Sequence, residues 1–172
     1  VLFLLVVPWS LEAQLEDHPR SDESCPSFVQ RFYNWYLPKT LQKNEGQDWD
    51  LALRSKKYTF DPNLSRGLKQ SELRASAEKD AGLDMDPFLN SQDPADSYIV
   101  GKFTQKGSRC RVEVYGIFSG KKSAKPSVVP EVVFRNDRWV FVNFHYPGDG
   151  PGSKDLMTLI SNYLGPGGQL AK

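Results

Sequence analysis

The chain predicts an α+β fold, with N-terminal helices packed on a curved, four-stranded antiparallel sheet and a C-terminal helix to close it. Two observations carry this. The run Phe28-Val29-Gln30-Arg31-Phe32-Tyr33-Asn34-Trp35-Tyr36-Leu37 places large apolar side chains at helical spacing. From Ser97 onward the pattern changes to short segments rich in β-branched and aromatic residues, divided by turn signals. A length of 172 residues suits one domain with a real core and is short for two.

The first helix begins at Ser24, a good N-cap, with Pro26 in the first turn, where its missing N–H costs nothing. Phe28, Phe32, Trp35 and Tyr36 form its core-facing stripe, Val29 and Tyr33 widen it, and Pro38 ends or kinks it. Asn44-Glu45-Gly46 reads as a stop. The stretch from Trp49 to Phe60 lacks a clean period and reads as irregular or as a short helix. Asp61-Pro62 opens a second helix with Leu64, Leu68 and Ala75 on one side, closed by Ala81-Gly82. Gly67 inside it implies close backbone packing.

Four strands follow, over Tyr98 to Thr104, Arg109 to Phe118, Val128 to Arg135 and Arg138 to Tyr146. Gln105-Lys106-Gly107-Ser108 and Asn136-Asp137 read as tight hairpin turns, and Gly120 to Pro126 as a longer basic loop. In the second strand Cys110, Val112, Val114, Gly116 and Phe118 share one side, and Arg111, Glu113 and Tyr115 the other. The last helix is expected from Ser153, as its N-cap, to Leu164, with Leu156, Leu159, Ile160 and Tyr163 on one face and Gly165-Pro166 as its stop. The single domain then spans 25–164, ahead of a Gly-rich tail over 165–172.

The first residues, Val1 to Trp9, form an apolar stretch too short to span a bilayer. Leu11-Glu12-Ala13-Gln14 follows as a passable cleavage site, so 1–13 reads as a signal peptide that lacks its methionine and basic n-region. The competing reading is a buried N-terminal strand. Residues 14–24 then form a polar, flexible leader. The mature protein is expected to be exported, periplasmic or secreted, with no integral membrane span. Cys25 and Cys110 are the two cysteines. In an oxidising compartment they can form a bridge, which stabilises by roughly 3–4 kcal/mol in the chain-entropy model, or they can be two buried thiols.

Charge narrows the partners. With 22 basic against 21 acidic residues there is no electrostatic footprint for nucleic acid. Neither cysteine has a His or Cys neighbour at metal-ligand spacing, and no phosphate loop or nucleophile elbow is present. No metal or cofactor is therefore expected.

Taken in series, Phe32-Tyr33-Asn34-Trp35-Tyr36-Leu37, Leu64-Ser65-Arg66-Gly67-Leu68, Asp86-Pro87-Phe88-Leu89-Asn90-Ser91-Gln92-Asp93 and the paired strands ending at Trp139 resemble a bacterial exported family. That family is the one catalogued as domain of unknown function 3828. The resemblance covers Cys25 to Leu164. It implies a cystatin-like, nuclear transport factor two-like cone, a curved sheet around a long helix, and no established activity.

Several residues can carry chemistry. Asp86 and Asp93 bracket the most distinctive loop, and a carboxylate at the mouth of such a cone can act as a general base. The plainer reading of Asp86-Pro87 and Asp93-Pro94 is two turns whose carboxylates bind backbone N–H groups. His145 ends the last strand on the face of Trp139, Phe141 and Asn143, and a dyad with Asp93 or Asp96 would suit dehydration or isomerisation. The plainer reading is a structural histidine. Arg109, Arg111 and Glu113 alternate on one face, where Arg111 can oppose an anionic ligand or simply join cross-strand ion pairs. Tyr33, Tyr36 and Trp139 complete the pocket candidates.

The function expected from these residues is an exported binding module for a small ligand or an envelope protein, contacted through the concavity of the sheet or the loop around Asp93. The alternative is a small cofactor-free isomerase or dehydratase using a pocket carboxylate. A structural homodimer paired through the sheet is the third expectation.

Overall fold

Helix α1 (Cys25–Thr40) is the axle on which the sheet is wound, in a computed structural model that describes residues 23–41, 48–55, 59–80, 82–148 and 155–165. The expected signal peptide, the Asn44-Glu45-Gly46 stop and the tail beyond Gly165 lie outside those residues. The order continues with α2 (Asp48–Ser55), α3 (Pro62–Glu78), β1 (Ser97–Lys106), β2 (Arg109–Phe118), β3 (Lys121–Lys122), β4 (Val129–Arg135), β5 (Arg138–His145) and α4 (Leu156–Leu164). The sheet is antiparallel in the order β1-β2-β4-β5, and the short β3 pairs with β2 as a fifth strand.

Ser24 caps α1, its Oγ accepting from Ser27 N–H, and Pro26 sits in the first turn. Pro38 does not end the helix, which runs on to Thr40. It falls in the last turn, where loss of one N–H removes little of the ladder. The stretch after Asp48 resolves into the short helix α2, and Phe60 then pairs in parallel with Phe141 at the β5 edge. Asp61 caps α3 by accepting from Asn63 N–H at 2.7 Å. That helix stops at Glu78, ahead of the expected Ala81-Gly82, because Lys79 turns left-handed (φ 55°) and sends its N–H back to the last turn. The N-cap of α4 is Asp155, whose carboxylate accepts from Thr158 N–H at 3.0 Å; Ser153, the expected cap, lies outside the described residues.

One face of the sheet packs on α1. Cys110, Val112, Val114 and Gly116 of β2 are buried there, with Val132, Phe141 and Phe144. Phe118, expected on that side, is exposed at the end of β2. Phe32 of α1 lies at the centre, its ring centroid 4.9 Å from Phe141, 5.2 Å from Tyr36, 5.7 Å from Phe60 and 5.8 Å from Phe88. Rings from a helix, a strand and two loops thus fill the concavity.

Three covalent or polar ties fix this arrangement. Cys25 and Cys110 form a disulfide that joins the start of α1 to β2, with Cα atoms 6.5 Å apart. The amide of Gln30 on α1 donates to Tyr98 C=O at 2.9 Å and accepts from Val100 N–H at 2.9 Å. It thereby satisfies two backbone groups on the outer edge of β1, as a neighbouring strand would. The loop from Asp86 to Ser91, closed by a hydrogen bond from Asp86 N–H to Ser91 C=O at 3.0 Å, packs its Phe88 against Phe32 and Phe144.

The last strand departs from simple alternation. Glu131 pairs with Asn143 but Val132 pairs with Phe141, so Val142 is an extra residue in β5. Such a bulge shifts the phase of every side chain beyond it. Trp139 and Phe141 therefore face the core while Asn143 and His145 face outward. The expectation that His145 shares a face with Trp139 and Phe141 is corrected by this bulge.

Candidate functional site

Two polar constellations stand out, one at the Asp86–Ser91 loop and one on the outer face of the sheet. Three tyrosine hydroxyls converge on the loop. Tyr33 donates to Phe88 C=O at 2.8 Å, Tyr146 donates to Pro87 C=O at 2.9 Å, and Tyr36 donates to the Asp86 carboxylate. The other carboxylate oxygen of Asp86 accepts from Phe88 N–H at 2.8 Å and Leu89 N–H at 3.1 Å. Asn90, left-handed at φ 55°, donates through its side chain to Ser127 C=O at 2.9 Å.

Burial pushes the Asp86 carboxyl up to about 6, against the pull of the Tyr36 and backbone hydrogen bonds. Burial and the nearby Asp86 charge push the Tyr36 phenol far above its usual value, and Tyr33 and Tyr146 move the same way for the same first cause. A buried carboxyl titrating near 6 is the ordinary mark of a general base. Here, though, both of its oxygens hold structure. A cleft of about 340 Å³ lies beside it, lined by Asp48, Trp49, Asp84, Met85, Ser91 and Gln92. Among the described residues no group of three or more His, Cys, Asp or Glu is placed to hold a metal.

On the outer face the centre is Glu131, a carboxylate only 3% exposed. Arg109 donates to one of its oxygens through Nη1. Arg111 Nε donates to the other at 2.6 Å, and His145 Nε2 lies 2.8 Å from the same oxygen. Burial and the neighbouring Arg111 hold the imidazole below its usual range, with Asp155 pulling the other way, so the ring is neutral near pH 7 and donates from Nε2. Asn143, on the same face, donates to Asp155 at 2.8 Å and so ties β5 to the start of α4.

The residues singled out in the sequence divide between these places. Tyr33 and Tyr36 meet at Asp86 and its loop; Arg109, Arg111 and His145 meet at Glu131. Trp139 is buried on the inner face, its Nε1 donating to Glu23 C=O at 2.8 Å. Glu113 accepts from Tyr115 Oη at 2.6 Å, one step along the strand from Arg111. Asp93 is exposed in a small turn, where Ser91 Oγ bonds its backbone at both ends. Asp96 accepts from Ser119 N–H at 2.6 Å. No hydrogen bond joins Asp93 or Asp96 to His145 among the described residues. Glu131 escaped the sequence reading because a glutamate in a strand ordinarily marks a solvated face.

Against known proteins, no family model, no curated protein and no solved structure matches this chain. No helix of the described residues is long and apolar enough to cross a membrane.

Proposed function

We propose that the protein is an exported, non-enzymatic binding module whose contact surface is the outer face of its sheet. The observation that carries this is the ring packing around Phe32, which fills the concavity where a ligand of a cone-shaped fold would sit. Asp86, the carboxylate with the most base-like environment, is committed on both oxygens to holding its loop. The outer face offers what the interior lacks. Ile99 is 39% exposed there, beside the half-buried Tyr115 and Ile117, and arginines stand further along.

Export is supported by the apolar run before Pro8 and by the Cys25–Cys110 bridge, which suits an oxidising compartment. The resemblance to the exported family with domain of unknown function 3828 supports the same placement, as a cystatin-like cone in the bacterial envelope. The isomerase or dehydratase alternative keeps one point in its favour, the cleft beside Asp86.

Photo-crosslinking in the envelope separates the two readings. A photoreactive residue replacing Thr104 or Tyr115 should capture one defined adduct, and the same residue at Asp48 or Gln92 should not. Adducts confined to the Asp48 and Gln92 positions would overturn the outer-face reading and favour the cleft. A second copy of the chain in the adduct would identify the partner as homodimeric.

A further inference from the structure

We propose that Arg109 and Arg111, held side by side by Glu131, form a docking site for a carboxylate of an acidic segment on a protein partner. This rests on the outer-face reading above and names the chemistry that the face would recognise.

The pair of guanidinium groups is unusual in how it is held. Two cations two residues apart on one strand face repel each other, and here a buried carboxylate sits between them and binds both. Burying a carboxylate on a sheet face is expensive, and a well-packed apolar residue in its place is often as stable or more so. What Glu131 supplies that a valine would not is position. Arg111 reaches it through Nε alone, which leaves the Nη1 and Nη2 edge without a partner among the described residues. Arg109 reaches it through Nη1. Both side chains remain more than half exposed, at 59% and 51%, whereas Glu131 is at 4%. The free donor edges therefore face solvent from a fixed base, in the fork geometry that matches a carboxylate.

The charges that reach solvent favour an anion. Arg109, Arg111 and Lys106, which pairs with Arg109 across β1 and β2, bring three positive charges. Glu131, Glu113 and Asp155, which lies beside His145, bring three negative ones, so the face as a whole is balanced. Glu131, however, is buried beneath the two guanidinium groups, which stay more than half exposed. The shape favours a macromolecular source. The pair stands on the flat of a sheet, and a small acid gains enough contact only in a concave site. A peptide can add contacts along the same face at Thr104 and Val133, which pair with Arg111 and Arg109.

The test is an NMR titration of the full chain with a tetraglutamate peptide, read at the Nε–H resonances of Arg109 and Arg111. Saturable shifts at both are expected, and the double variant Arg109→Ala/Arg111→Ala should weaken binding about tenfold or more. Glu131→Gln separates positioning from simple charge. It makes the face more positive by one, so plain Coulomb attraction predicts tighter binding, whereas loss of the fixed geometry predicts binding weakened by about fivefold. Equal or tighter binding by Glu131→Gln would overturn the proposal. Should that variant fail to fold, unchanged binding by the exposed double arginine variant overturns it equally. Acetate or sulfate binding as tightly as the peptide would also overturn it. Shifts at Ile99 and Tyr115 without any at the arginines would sink this inference while leaving the outer-face reading intact. No response on the outer face, together with crosslinks only at the cleft, would sink both.

Discussion

Asp86 shows how one side chain can combine the raised pKa of a general base with the hydrogen bonds of a turn former. Its carboxyl is raised to about 6 because it is buried, yet it accepts from two backbone N–H groups and a tyrosine. The linkage has a definite sign. The folded protein holds this proton more tightly than the unfolded chain, so between the ordinary aspartate value and about pH 6 the native state binds more protons. Stability from this group is then fully present below that window and falls as pH rises through it, by of the order of 2–3 kcal/mol. Asp86→Asn should flatten that portion of the curve. Urea denaturation of both proteins from pH 4 to 7 reads it as a difference, and parallel curves would show that Asp86 is not the titrating group. The turn role of Asp86 was legible from Asp-Pro at the head of the loop. Its link to Tyr36 was not, since 50 residues separate them.

Among the elements, those set by local signals were readable and those set by pairing were not. Ser24, Pro26 and the spacing of Phe28, Phe32 and Tyr36 specify α1 within one stretch of chain. Asn136 and Asp137, both left-handed, specify the β4–β5 hairpin in the same way. The bulge at Val142 depends on which residue of β4 lies opposite, so alternation alone placed His145 on the wrong face. The polar clasp of Gln30 on β1 is equally non-local. Replacing Gln30 with Leu should leave α1 helical but free Val100 N–H and Tyr98 C=O. Hydrogen exchange of the Val100 amide should then quicken by about fivefold or more, relative to that of Val114 in the sheet interior. Equal protection in both proteins would mean that another group covers the edge.

At the scale of the molecule, α1 is joined to the sheet by a covalent bond at its start and by rings along its length. The bridge spans a sequence separation of 85, which constrains the unfolded chain by about 4.5 kcal/mol in the chain-entropy model. The double variant Cys25→Ser/Cys110→Ser should therefore melt roughly 10 °C lower. Calorimetry with and without reductant gives the same comparison on the natural chain, and an unchanged melting temperature would show that ring packing suffices. The α+β layout was visible in the sequence because the strand periods form one block, with helical periods before it and a last one after it. That Phe60 and Phe88 join the ring cluster around Phe32 was not, because both come from loops whose path no periodicity records.

The three tyrosines that latch the Asp86–Ser91 loop also make that loop report on itself. Tyr33, Tyr36 and Tyr146 are all held protonated far into alkali by burial. Tyr98, Tyr115 and Tyr163 are raised as well but less far. The last phenolate absorbance to appear in rising alkali should therefore coincide with release of the Asp86–Ser91 loop, and the ultraviolet spectrum can follow that release in the protein's own chromophores.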